Sequence, residues 1–190
     1  INRLPSGRKF PEKLSLTLKN LLLADNCLIF IDQYAFPNFK SLEHIDLSEN
    51  SIHFIHELAF APFNNRLYQY ESTPLAYLNL AQNRLKVIPF KLIHNLPVLQ
   101  ILNLNDNQIK STYDSAFSTQ TLHLNELHLE FNEIEQLEER SFRNFRKINK
   151  TFLSFNSIHT LPRNVFKDVE INQIYLIGCK LVNISSYAWV

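Results

Sequence analysis

Leu18-Lys19-Asn20-Leu21-Leu22-Leu23-Ala24-Asp25-Asn26-Cys27-Leu28 decides the fold, because its pattern L-x-x-L-x-L-x-x-N-x-L returns along the chain. The second copy runs from Leu42 through Asn50 to Ile52, the third from Leu75 through Asn83 to Leu85. The fourth spans Leu99 through Asn107 to Ile109, the fifth Leu124 through Asn132 to Ile134. Two slightly degraded copies follow, Ile148 through Asn156 to Ile158 and Ile171 through Cys179 to Leu181. Ten residues after each Asn or Cys stands a large apolar side chain: Phe36, Phe60, Ile93, Phe117, Phe142, Phe166 and Trp189. A second marker at one fixed offset confirms the register.

Each L-x-L stretch is a short strand whose alternate side chains point inward. One such strand cannot bury its leucines alone, whereas stacked coils share a continuous core. The pattern therefore puts Leu21, Leu23, Ile45, Leu47, Leu78, Leu80, Leu102, Leu104, Leu127 and Leu129 inside. Phe36, Phe60, Phe117, Phe142 and Phe166 are expected in one row behind them. The Asn stands where the chain turns out of the strand, and its amide can satisfy backbone groups left unpaired there. Cysteine, as at Cys179, is the replacement this pattern allows.

The period of about 24 residues with a Phe near its end resembles the "typical" leucine-rich repeats of animal extracellular proteins. Toll-type receptors, Slit-like guidance proteins and small proteoglycans are the nearest kinds. The resemblance spans essentially the whole chain. It implies an α/β solenoid: a right-handed horseshoe with a concave parallel β-sheet and a mostly irregular convex side. It does not imply one ligand, so function has to be read from surfaces. Residues 1–190 read as a single solenoid of about seven repeats, beginning and ending in mid-repeat. Disulfide-bonded caps, usual in extracellular relatives, are not visible, so the chain reads as a portion of a longer protein.

Composition removes several classes. Net charge is +1, from 19 Lys+Arg against 18 Asp+Glu, which leaves no footprint for nucleic acid or an anionic membrane surface. The two glycines, Gly7 and Gly178, exclude phosphate-cradling glycine loops. No run of 18 apolar residues occurs, so membrane attachment is expected only through an anchor outside this chain. Cys27 and Cys179 lie six repeats apart, roughly 29 Å at strand spacing, and cannot reach the ~7 Å of a bridge. His53 and His56 form an H-x-x-H without a third ligand nearby, a weak metal pattern. His44 and His128 share a face with carboxylates but have no poised Ser or Cys beside them. Neither a cofactor nor an enzymatic role is expected.

The outward places of the pattern are the second, third, fifth, seventh and eighth. They collect Asp25, Glu43, Asp46, Glu49, Asp106, Glu126 and Glu130 against Lys19 and Lys150, a charge of −5. Toward the carboxyl end the same face gains Phe131, Phe152, Phe155, Tyr175 and Ile177. Asp46, Glu49, Tyr77, Asp106, Glu126, His128, Phe131, Phe152, Phe155 and Tyr175 are the candidate ligand-binding residues. The repeat spacing is 24, 33, 24, 25, 24 and 23 residues. The long interval predicts a loop over residues 65–73, tipped by Tyr68 and Tyr70, which join the candidates. Asn149-Lys150-Thr151 and Asn183-Ile184-Ser185 are glycosylation sequons, although 21 Asn and 21 Ser+Thr in 190 residues give about 2 by chance. The leading expectation is a non-catalytic ectodomain fragment of a cell-surface receptor or adhesion protein, binding a protein ligand or co-receptor through its concave face. An intracellular scaffold or adaptor and a secreted matrix or inhibitor protein are the alternatives.

Overall fold

The computed structural model describes residues 12–37, 39–61, 73–112 and 122–189. The half-repeat at residues 1–10, the tyrosines Tyr68 and Tyr70, and Phe117 lie outside the described residues. In chain order the elements are α1 (Glu12–Thr17), β1 (Asn20–Leu22), β2 (Phe30–Ile31), β3 (His44–Asp46), β4 (Phe54–Ile55) and β5 (Tyr77–Asn79). Then come α2 (Phe90–His94), β6 (Ile101–Asn103), β7 (Leu122–His128), β8 (Phe145–Phe152), β9 (Thr160–Leu161), β10 (Glu170–Tyr175) and β11 (Asn183–Ile184).

Strands β1, β3, β5, β6, β7, β8 and β10 make one parallel sheet in that order, one strand from each copy of the pattern. Opposite it, β2 pairs with β4 and β9 with β11, and among the described residues the rest of that side is turns and short helix. The sheet keeps the register of the pattern. Leu21, Ile45, Leu78, Leu102, Leu127, Thr151 and Ile174 stand side by side as consecutive Cα partners.

Eight of the ten expected inward side chains are fully buried: Ile45, Leu47, Leu78, Leu80, Leu102, Leu104, Leu127 and Leu129. Leu21 and Leu23 are only partly buried. Leu21 lies in β1 and Leu23 directly after it, and β1 is the edge strand of the sheet among the described residues. The aromatic row forms as expected where it is described. Phe36 and Phe60 stack at 5.1 Å, Phe142 and Phe166 at 5.5 Å, and Phe166 and Trp189 at 5.3 Å.

The ladder asparagines tie coil to coil. Asn107 Nδ2 donates to Leu80 O of the preceding coil at 2.9 Å and to Leu104 O and Asn105 O of its own. Its Oδ1 accepts Leu85 N–H at 2.9 Å. Asn83, Asn132 and Asn156 repeat the bond to the coil before, at 2.8–2.9 Å. Cys179 does the same with its thiol, Sγ to Leu153 O at 3.2 Å, and burial pushes that thiol's pKa up. The residue before each ladder position is left-handed, with φ between 53° and 69° from Asp25 through Gly178. For a side chain other than glycine that conformation costs roughly 1–2 kcal/mol, so the amide network has to offset it in every coil but the last, where Gly178 takes the place.

Of the loop expected over residues 65–73, only Thr73 lies among the described residues. Thr73 is buried and its hydroxyl donates to Phe60 O at 3.1 Å. It belongs to the coil rather than to the expected loop, because this hydrogen bond fastens it to the backbone of Phe60.

Candidate functional site

The outward face of the sheet has two unlike halves. Strands β1, β3, β5 and β6 have three residues each, whereas β7, β8 and β10 have seven, eight and six. The wider half carries the rings. His128 lies on Phe152 with centroids 4.4 Å apart and planes 11° from parallel, and Phe152 lies on Tyr175 at 4.6 Å and 8°. All three occupy the fifth place of the pattern in adjacent strands, so the parallel register itself stacks them. Phe152 and Tyr175 are consequently half-buried, each covered by its neighbour. Tyr175 O–H donates to Gln173 Oε1 at 2.9 Å.

A second stripe runs parallel to the first at the eighth place. Phe131 and Phe155 stack at 4.6 Å and 10°, and they remain 55% and 49% exposed. Both are left-handed, with φ of 55° and 60°. A bulky side chain there is a true conformational outlier. Gly178 takes the same place in the next coil, and a Cβ on it would come within 2.8 Å of Phe155 Cδ1. Its missing side chain is what seats the Phe155 ring. Sequence reading found both stripes but gave Gly178 no role.

Charges border the rings. Lys150 Nζ lies 2.9 Å from Glu126 Oε1, and His128 Nε2 lies 3.1 Å from Glu126 Oε2. The Lys150 hydrogen bond holds the Glu126 carboxyl below its ordinary 4.5; desolvation opposes this and His128 assists. Glu126 in turn raises the Lys150 pKa. A carboxyl depressed on folding contributes stability that is present above its unfolded pKa and lost as pH falls through the folded one. Lys150→Met should therefore move the Glu126 midpoint up toward 4.5, as read by carboxyl-carbon NMR titration. An unmoved midpoint would disprove the pairing.

The acidic half is less free than its sequence implies. Asp46 Oδ1 accepts both the backbone N–H and the hydroxyl of Ser48, at 2.9 and 2.6 Å. Asn79 and Asn103 accept the corresponding N–H groups of Ala81 and Asn105. Asp46 is thus a turn acceptor that happens to be charged. Glu43 pairs with Lys19 at 3.0 Å. Glu49 and Asp106 are exposed. Tyr77 sits beside His44 with centroids 5.8 Å apart, and burial, then Asp46, raises its pKa. Glu126, His128, Phe131, Phe152, Phe155 and Tyr175 are brought together on three neighbouring coils. Asp46, Glu49, Tyr77 and Asp106 are spread over the other coils, with Asp46 roughly 14 Å from His128 at strand spacing. No cluster of three metal-ligating side chains occurs among the described residues, and His56 Nδ1 is occupied by Leu58 N–H at 3.0 Å.

Coils locked by an internal amide ladder, with an open parallel sheet on one face, define a repeat solenoid. A leucine rich repeat family model matches residues 17–65 and 73–119, and the chain belongs to that family. Chaoptin of Drosophila melanogaster is 44% identical over 78 residues, 41% of this chain and 6% of that protein. Human Toll-like receptor 3 is 32% identical over 176 residues, 92% of this chain and 19% of the receptor. The crystal structure of the TLR13–ssRNA13 complex superposes with a TM-score of 0.72 at 25% identity, covering 90% of this chain and 22% of that one. The chain spans a small part of the length of each.

Proposed function

We propose that residues 1–190 are one continuous solenoid within the ectodomain of a cell-surface receptor or adhesion protein. Its work is non-catalytic, and a protein ligand or co-receptor docks on the concave face across β7, β8 and β10. The two stacked aromatic stripes carry this reading. Five rings sit on the outward side of three neighbouring coils, away from the core that the repeat otherwise serves. Clustered aromatics that exclude water dominate the energetics of protein interfaces, and a cluster outside the core marks one.

Similarity to human Toll-like receptor 3 and to chaoptin supports the receptor or adhesion setting. Among the described residues no helix is long and apolar enough to cross a membrane, so in this reading an anchor belongs to another part of the protein. The similar solenoid solved with ssRNA13 does not shift the choice toward RNA. Here the outward strand positions hold seven acids against two bases, the wrong sign for a phosphate backbone.

A photo-crosslinking residue placed at Tyr175 tests the face, with the same residue at Val87, 67% exposed on the opposite side, as the comparison. In the full-length protein on cells, position 175 should give an adduct with an extracellular protein and position 87 should not. Adducts from position 87 alone would put the partner on the convex side.

A further inference from the structure

We infer that Asn149 carries an N-linked glycan, and that Thr151 occupies its place in the core for the sake of that modification. The inference rests on the extracellular reading above only for the compartment in which transfer takes place.

Thr151 stands in the fourth column of the pattern, between Leu127 and Ile174. Every other copy puts Leu or Ile there. The residue is completely buried, and its Oγ1 has no hydrogen-bond partner among the described residues. A buried hydroxyl without a partner is destabilising relative to an apolar group of the same shape. The fold therefore gives no reason for a hydroxyl at this position and a good reason for Val. The sequon Asn149-Lys150-Thr151 supplies the missing reason, since it needs a hydroxyl two residues after Asn.

The other sequon lacks this signature. Ser185, two residues after Asn183, uses its Oγ to accept Tyr187 N–H at 3.3 Å. His56, at the corresponding place of its own coil, accepts Leu58 N–H with Nδ1. A polar acceptor is wanted there by the turn, so Ser185 is explained without any glycan.

The folded sheet also has room for the modification. Asn149 belongs to a side-chain amide ladder at the second place of the pattern. Its Nδ2 donates once, to Asn125 Oδ1 at 3.0 Å, and its Oδ1 accepts once, from Asn172 Nδ2 at 2.8 Å. In the transfer, Nδ2 bonds to the anomeric carbon of a lipid-linked oligosaccharide diphosphate. The carbon–oxygen bond to phosphate breaks, the lipid diphosphate leaves with the electron pair, and one amide proton is lost. A carboxamide nitrogen has two protons, so one N–H and the carbonyl remain, which is the number of bonds the ladder uses. The glycan would rise from the half-exposed amino-terminal side of the sheet. At strand rise that is about 10 Å from the Phe152–Tyr175 stripe, with the Phe131–Phe155 stripe farther along the coil. A partner would then approach the rings from the carboxyl-terminal side of the strands.

The test expresses the full-length protein behind an added secretion leader in cultured animal cells. Both the secreted and the cell-retained fractions are treated with peptide N-glycosidase in heavy-oxygen water and mapped by mass spectrometry. Asn149 should appear as heavy-labelled aspartate in most molecules, should do so with Thr151→Ser, and should not with Thr151→Val. Recovery of unlabelled Asn149 in the secreted wild type overturns the proposal. Because the leader imposes the compartment, that failure is distinct from finding the native protein in the cytosol, which would overturn the ectodomain reading instead. A second arm measures melting of the unglycosylated protein, where Thr151→Val should raise the midpoint by roughly 2–4 °C. A lowered midpoint would mean that the hydroxyl serves the fold, and the inference would fall.

Discussion

Asn107→Ala should destabilise the solenoid by about 3–5 kcal/mol, several bonds' worth at once. The single amide donates to three carbonyls, in its own coil and the one before, and accepts Leu85 N–H. Truncation leaves these groups buried and unpaired, and it also releases the left-handed backbone of Asp106 that the network holds. Asn107→Cys should fall between the wild type and Ala, because Cys179 already makes the inter-coil bond with a thiol. Urea denaturation of the three proteins checks the order. A cost for Asn107→Ala no larger than an average surface substitution would show that the ladder is decorative.

Phe142→Ala should cost a similar amount, about 3–5 kcal/mol. The ring is completely buried and stacks on Phe166, which stacks in turn on Trp189. Removing it opens a cavity that the neighbouring coils, held by their own ladders, cannot collapse to fill. Trp189→Ala is the internal comparison, because its ring is 59% exposed and its loss should be much smaller. Equal losses would mean that the aromatic row is not a core at all.

The fold was legible because a repeat multiplies weak evidence. Once Asn50, Asn83 and Asn107 fixed the register, the inward columns and the aromatic row followed from spacing, and Cys179 fell on the ladder place, where the repeat pattern allows cysteine. The outward face was legible in membership and less so in state. Phe152 and Tyr175 were assigned to the correct column, yet that they cover one another depends on inter-strand distance, which spacing within one coil does not contain. Asp46 read as a ligand-facing acid because its partners are the backbone N–H and the hydroxyl of Ser48, and a backbone donor carries no letter in the sequence. Thr151 was visible only as part of a triplet. Its cost to the core emerged from the absence of a hydrogen-bond partner, which no sequence displays. Gly178 and the Asn125–Asn149–Asn172 ladder could have been found earlier by reading each outward column down the repeats instead of along the chain.

In the proposed function the aromatic stripes, not the acidic rows, supply the affinity of the concave face. The direct measurement is the dissociation constant of the partner captured at position 175, determined by surface plasmon resonance for the wild type, Phe152→Ala, Tyr175→Ala, and Glu49→Gln combined with Asp106→Asn. Each aromatic truncation should weaken binding by about 2 kcal/mol, roughly 30-fold, mainly through faster dissociation. The charge variant should alter association alone, and only at low salt. Unchanged affinity in both folded alanine variants would contradict the account.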